Sequence, residues 1–307
     1  MKTKNIFTIT LMVIAACVVA VVSCTKEKTE NLKQEAIKNN ESSFSNINGI
    51  HVRVEHDTTM SKEARIDWLN FETKSDYELA ISTYSNLPED SLVAFENRLS
   101  FNSMRSSLTE LQREDNEIED DLLATLLSPC GTIQIGDYYF VLNVSKDTVL
   151  MYDLSSAIET VRVFSTDDEI FDILENKGES GDKGCSAKNK VKGSDVGCNS
   201  INAKVVYQKA GIYFSLQSKI KKDCYGGTLE LFLSCGGNTN TYKRNRDNTI
   251  YAIPAYGVYG GDHSYHYRPY SGIRKLVNFH FSVSFLARDS FSNIDTGWFD
   301  LSIHCGV

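Results

Sequence analysis

The sequence predicts an α+β N-terminal domain followed by an all-β C-terminal sandwich, and three observations predict it. Apolar residues recur three or four apart within residues 75–127, whereas alternation with period two dominates after Ile201. A glycine- and lysine-rich stretch, residues 178–200, separates the two patterns. Charge changes sign across it: residues 24–178 hold 14 Lys or Arg against 30 Asp or Glu, and residues 179–307 hold 16 against 10. That asymmetry supports a boundary, lets the halves attract each other, and lets the second half meet an anionic partner.

In chain order, INGIHVRVEH (47–56) alternates apolar with polar and reads as a strand, and DWLNF (67–71) reads as another. Ser75-Asp76-Tyr77-Glu78 has capping-box spacing, in which hydroxyl and carboxylate each satisfy the other residue's backbone amide, so a helix is predicted from Ser75 to about Asn86. Pro88 suits the first turn of a second helix, with Leu92, Phe95 and Leu99 on one face. A third short helix is predicted from Glu117 to Leu127. After Pro129, GTIQIGDYYFVLNV (131–144) sets Gly136-Asp137 between two alternating runs, a two-residue hairpin signal. Strands follow at Thr148–Tyr152 and Ile158–Phe164. Thr166-Asp167-Asp168-Glu169 is a second capping box, opening a helix that stops before Gly178.

Past Ile201, Leu229, Leu231 and Leu233 alternate with Glu230, Phe232 and Ser234. Phe279, Phe281, Val283 and Phe285 do the same, as do Phe299, Leu301 and Ile303. Several strands with one apolar face, separated by glycine-rich turns, make a sandwich. The domain boundaries expected are a leader (1–23), a disordered tether (24–46), the α+β domain (47–177), a linker (178–200) and the sandwich (201–307).

At the amino terminus, Lys2 and Lys4 precede an apolar run from Ile6 to Val22. Its length lies between that of a secretory signal and that of a membrane span. Val21-Val22-Ser23-Cys24 resembles the lipobox of bacterial lipoproteins, with Val21 where leucine is commonest. The resemblance implies cleavage after Ser23 and lipidation of Cys24, whose several acyl chains make a stable membrane anchor. Thr25 to about Ser45 is polar and charged, as a solvated tether is. Lys26, Glu27 and Glu30 resemble the charged tag that sends lipoproteins of the Bacteroidetes to the cell surface. Further on, DYELAISTYSNLPEDSLVAFENRLSFNSMRS together with ATLLSPCGTIQIGDYYFVLN resembles an arrangement in uncharacterised Bacteroidetes lipoproteins, over roughly residues 65–145. The IQIGDYYF hairpin is its most specific part, and Cys130 departs from it. The resemblance implies an outer-membrane lipoprotein, periplasmic or surface-exposed, and no assigned activity.

Once Cys17 leaves with the leader and Cys24 carries lipid, six cysteines remain: Cys130, Cys185, Cys198, Cys224, Cys235 and Cys305. An even number in an exported chain indicates disulfides, with 15 connectivities open. The expected pairs are Cys185 with Cys198, across the glycine-rich loop, and Cys235 with Cys305, which share parity with their apolar neighbours. A zinc cluster lacks any Cys-x-x-Cys pair, so neither a metal nor a cofactor is expected.

The sequence carries no phosphate loop, zinc-protease helix, nucleophile elbow or dinucleotide fingerprint, which leaves an enzyme the less favoured reading. Suspicion falls on AYGVYGGDHSYHYRPYSGIRK (255–275), read as a long loop. Tyr256, Tyr259, Tyr265, Tyr267 and Tyr270 offer ring faces to sugars or apolar peptide, and Arg268 and Arg274 offer guanidinium groups to anions. The competing reading is that these tyrosines pack on their own sandwich. The function expected is a membrane-anchored envelope lipoprotein binding a protein or an anionic glycan, with no nucleic-acid partner. The alternatives are a hydrolase of cell-wall or host polymers and an inhibitor or immunity lipoprotein.

Overall fold

The structure is a computed structural model that describes residues 44–56, 66–156, 160–177, 185, 187–196, 199–223, 229–236, 239–290 and 294–306. The leader, Cys24, nearly all of the tether, Cys198 and Cys224 lie outside the described residues. The chain is mostly strand, laid out in three sheets.

The first sheet holds β1 (Ser45–Ile47), β2 (Ile50–His56), β3 (Asp67–Phe71), β4 (Thr132–Ile135), β5 (Tyr138–Asn143), β6 (Thr148–Asp153) and β7 (Val161–Phe164), side by side in chain order. Every neighbouring pair is antiparallel except β3 and β4. Between those two the chain runs through helices α1 (Lys74–Tyr84), α2 (Glu89–Leu99), α3 (Met104–Ser107), α4 (Glu110–Asp115) and α5 (Asp121–Leu126). A crossover of that kind returns the chain parallel to the strand it left. The stretch 47–56 is a hairpin and not one strand, because Asn48 (φ 56°) and Gly49 (φ 85°) take the left-handed conformations that a tight two-residue turn requires.

The local caps differ from the expected ones. Thr73 caps α1, its hydroxyl accepting from the Asp76 amide at 3.1 Å, so Ser75 already lies inside the helix. The helix expected over 117–127 is confined to α5, capped by Asp120, while Glu117 takes a left-handed φ of 57°. The helix expected from Thr166 starts four residues later, as α6 (Ile170–Leu174). The Glu169 carboxylate, which a capping box would turn back on Thr166, instead accepts from the amides of Asn245 and Lys275 in the second half of the chain.

In that second half, β8 (Lys188–Val196), β9 (Asn199–Lys209), β10 (Phe214–Lys222) and β15 (Ser264–Gly272) make a four-stranded sheet in the order β15-β10-β9-β8. The third sheet gathers β11 (Leu229–Cys235), β12 (Thr241–Arg244), β13 (Tyr251–Ala252), β14 (Tyr256–Gly260), β17 (Ile294–Asp295) and β18 (Phe299–Cys305) around the long β16 (Leu276–Asp289). Here β11 and β12 follow one edge of β16, and β18 follows the other. Two expectations are corrected. Residues 188–196 of the supposed linker are strand β8, paired along β9. Most of the supposed loop over 255–275 is strands β14 and β15.

The inward faces of the second and third sheets enclose one apolar cluster, with Leu216, Ile220, Leu231, Phe279, Phe281 and Phe285 fully buried. A separate cluster joins the first sheet to its helices through Phe71, Tyr77, Leu123, Ile133 and Phe140. The β9–β10 turn enters this first cluster: Ala210, Ile212 and Tyr213 are buried in it. At Gly211 (φ 72°) a Cβ would stand 2.8 Å from Ile170 Cδ1, so only glycine fits where the two halves interlock.

The disulfide expectations are overturned. Cys185 is bonded to Cys305, with Cα atoms 5.7 Å apart, and Cys235 is a buried free thiol. Parity did place Cys235 and Cys305 on strands of one sheet, but β16 lies between those strands. Two strand spacings are about 10 Å, beyond the reach of a bridge. Cys185 has no partner within its own loop because β8 extends the chain away from it at roughly 3.3 Å per residue. Cys130 is also disulfide-bonded.

Candidate functional site

Strand alternation decides which side chains the third sheet shows to solvent. Leu229, Leu231, Leu233 and Cys235 of β11 point into the core, so Glu230, Phe232 and Ser234 point out. Across the ladder, Phe232 lies opposite Tyr259 of β14 on one side and Leu286 of β16 on the other. Trp298, just before β18, continues the row past β16. The Tyr259 ring is stacked on that of Phe232 (centroids 5.5 Å, planes 10° apart), and Trp298 meets Phe232 edge-on at 6.2 Å. Tyr259 is 71% exposed and Trp298 60%. Exposed aromatic rings held against one another in this way make a preformed surface for stacking.

Polar rows border the stripe. On one side Gly257, Ser234, Ser284 and Asp300 follow one another across the same strands, with the Ser284 hydroxyl donating to Asp300 at 2.5 Å. On the other side Arg288 stands in register between Glu230 and Asp295.

Of the seven residues suspected from sequence, this surface takes one, Tyr259. Tyr256 has the opposite parity and stacks on Tyr267, with centroids 4.4 Å apart and planes 2° apart. Tyr265 is half-buried against the core, the Tyr267 hydroxyl donates to the Pro254 carbonyl at 2.9 Å, and the Tyr270 hydroxyl donates to the carbonyl of Arg274. Arg268 is buried in an ion pair and cannot reach an anion from solution. The guanidinium basis for an anionic ligand therefore falls away at Arg268. Phe232 and Trp298 were missed. The available signal was a phenylalanine at the outward parity of β11, between Glu230 and Ser234.

The charge asymmetry is used inside the molecule. The outward face of the four-stranded sheet carries Lys190, Lys204 and Lys219, and the acidic segment 110–121 lies against it. Asp120 is fully buried. One of its oxygens accepts from the amides of Leu122 and Leu123 and from Arg268 Nη2 (2.9 Å). The other accepts from the Tyr213 hydroxyl (2.9 Å), the Ser215 hydroxyl and Arg268 Nε (3.0 Å). Glu119 pairs with Lys190 (2.6 Å) and Lys204 (3.3 Å), and Asp121 with Lys219 (2.8 Å) and Arg113 (2.7 Å). Beside them, Glu110, Lys190, Lys204, Lys219, Lys221 and Asp223 line a cavity of about 260 Å³, in which every one of those lysines already has a carboxylate partner.

Burial pushes the Glu110 carboxyl up, but the charges of Lys219 and Lys204 and the hydrogen bond with Lys221 outweigh it and hold the group at about 2. Asp121 is likewise held well below the usual carboxylate range, burial being outweighed by Lys219 and Arg113. A carboxyl depressed on folding stabilises the protein above its unfolded pKa, and that stability is lost as pH falls through its folded value. Unfolding free energy should therefore fall between about pH 4.5 and 2, by on the order of 2–3 kcal/mol from Glu110 alone. Urea titrations across that range check it, and Glu110→Gln should flatten the slope. An unchanged slope would show that the seam contributes nothing.

A second cluster, His51, Glu72 and Asp76, brings its ligand-type atoms within 4.8 Å of one another. Asp76 is already committed: it accepts from the His51 amide (2.8 Å), lies 3.1 Å from that residue's Nδ1, and accepts from the Thr73 hydroxyl (2.5 Å). The cluster therefore clamps β2 to the start of α1.

A solved structure is similar to the chain. It is that of a DUF4848 family protein from Bacteroides thetaiotaomicron VPI-5482, at 7% identity, covering 77% of this chain and 96% of that one with a TM-score of 0.19. So low a score carries no argument about the site. No protein-family model and no curated protein matches the sequence. Among the described residues no helix is long and apolar enough to cross a membrane.

Proposed function

We propose that the chain is a cell-envelope lipoprotein, tethered through Cys24, whose C-terminal β-sandwich binds a protein or a glycan at the outer stripe of Tyr259, Phe232 and Trp298. In this reading the first half is an α+β domain that braces the sandwich through the acidic seam. The basic start, the apolar run and Val21-Val22-Ser23-Cys24 support the anchor. The binding role is carried by one observation: two aromatic rings, more than half exposed, held in fixed orientation against a third on an otherwise polar sheet face. Tyr259 and Trp298 stand outside the apolar cluster between the sheets, and exposed aromatic clusters rimmed by polar groups mark interaction surfaces.

The test is a screen of the native lipoprotein against glycan and envelope-protein arrays, with Tyr259→Ala beside it. A ligand retained by the native chain and lost by the variant is expected. Equal retention by both, or no ligand on either array, overturns the binding role. In membrane fractions from the native host, Cys24→Ser should release the protein.

A further inference from the structure

We infer that the ligand of the outer stripe is a neutral glycan chain, laid across the strands of the third sheet; this rests on the binding role proposed above. The stripe is one residue wide. Tyr259, Phe232 and the buried Leu286 follow one another across neighbouring strands, and Trp298, just before β18, meets Phe232; the ring separations are 5.5 Å for Tyr259–Phe232 and 6.2 Å for Phe232–Trp298. Immediately beside it come Gly257, two serines and Asp300, not further apolar side chains. A protein partner of ordinary affinity buries about 800 Å² on each side, with an apolar centre several residues across. A narrow line of rings bordered by polar rows offers no such centre. The exposed sides of Tyr259 and Trp298, held apart by Phe232, do suit pyranose rings, whose apolar C–H faces stack on aromatic faces while their hydroxyls reach sideways.

The groups those hydroxyls would reach decide the charge class. Asp300 lies on one flank and Glu230 and Asp295 on the other, against one cation, Arg288, which stands in register between the last two. The rim is therefore acidic. Carboxylate or sulfate groups on an anionic glycan would meet like charge, whereas sugar hydroxyls can donate to these carboxylates in charge-assisted hydrogen bonds. Gly257, with no atom within 4 Å of where its Cβ would be, leaves the row beside Tyr259 open to a sugar ring.

Affinity electrophoresis and calorimetry of the full chain test this, with xylan, mannan and dextran as neutral probes and polygalacturonate and chondroitin sulfate as anionic ones. At least one neutral polymer should bind, and Tyr259→Ala and Trp298→Ala should each weaken it roughly tenfold or more. Both residues are exposed, so the variants should keep the native unfolding midpoint, which is measured alongside. Binding of the anionic polymers alone, through the same residues, overturns the inference and leaves the binding role standing. Neutral binding that survives both aromatic substitutions also overturns it. If no polysaccharide binds, the inference falls, and the protein array decides whether the binding role falls with it.

Discussion

Replacing Arg268 with alanine should cost about 3–5 kcal/mol of unfolding free energy, the usual consequence of stranding one member of a buried ion pair. The guanidinium side chain is 2% exposed and its Asp120 partner not at all. Removing it leaves a carboxylate buried among two hydroxyls and two amides, which compensate part of the lost charge. Asp120→Ala is the harsher change. It strands the guanidinium and also orphans the Tyr213 and Ser215 hydroxyls and two α5 amides, so it should cost more than Arg268→Ala. The order matters because a mere surface pair would give under about 1 kcal/mol for either. Removing both charges together, as Asp120→Asn with Arg268→Met, should recover part of the loss, since neither buried charge is then left without its partner. Urea unfolding followed by tryptophan fluorescence and far-UV dichroism measures all three. Trp68 reports the first half and Trp298 the second, so non-coincident transitions in the variants would show that this pair couples the halves. Single-variant losses below 1 kcal/mol would remove the pair from any role in holding them together.

How much of this was legible in the sequence depends on the range of the interaction concerned. The Gly136-Asp137 hairpin is a local signal, and it formed where local chemistry placed it; the change of hydrophobic period near Ile201 was local too, but strand structure already begins at β8, inside the stretch read as a linker. Asn48-Gly49 was equally local and equally legible, yet the longer alternation around it masked the turn. The two capping boxes failed for different reasons: at α1 the hydroxyl of Thr73, two residues before Ser75, took the cap, whereas Glu169 was drawn to the distant amides of Asn245 and Lys275. The charge split was legible as an attraction between halves, but not as a seam between segment 110–121 and one sheet face. For the site, Tyr259 could be suspected from an aromatic-rich stretch. Phe232 and Trp298 could not be joined to it, because strand alternation tells which face a residue is on and not which strands lie side by side. The same ignorance misassigned the disulfides.

Removing the bridge between Cys185 and Cys305 should lower stability by about 3–5 kcal/mol. The two cysteines are 120 residues apart in the chain, so the bond closes most of the second half into one loop of the unfolded ensemble. For a loop of that length the chain-entropy account gives nearly 5 kcal/mol. The native state has its own reason to need the bond. Cys185 leads into β8, at the edge of the four-stranded sheet, and Cys305 ends β18, paired only with β16 in the other sheet. The bridge thus ties two sheet edges together along one side of the sandwich, where edge strands would otherwise open first. A Cys185→Ala/Cys305→Ala variant isolates this bond from that at Cys130, which a reductant would also cut. Cys235 should not rescue the single variants by exchange. Its thiol is buried in the core of the second half and pushed up to about 11 by that burial, so little thiolate forms at neutral pH. Native-state thiol labelling should accordingly find Cys235 protected in the parent. In the double variant, hydrogen exchange should rise first in β8 and β18 while the β9–β10 turn, held in the first core by Gly211 and Tyr213, stays protected. Uniform exchange throughout both halves would show instead that the bond acts on the unfolded chain alone, and an unchanged unfolding midpoint would show that it does neither.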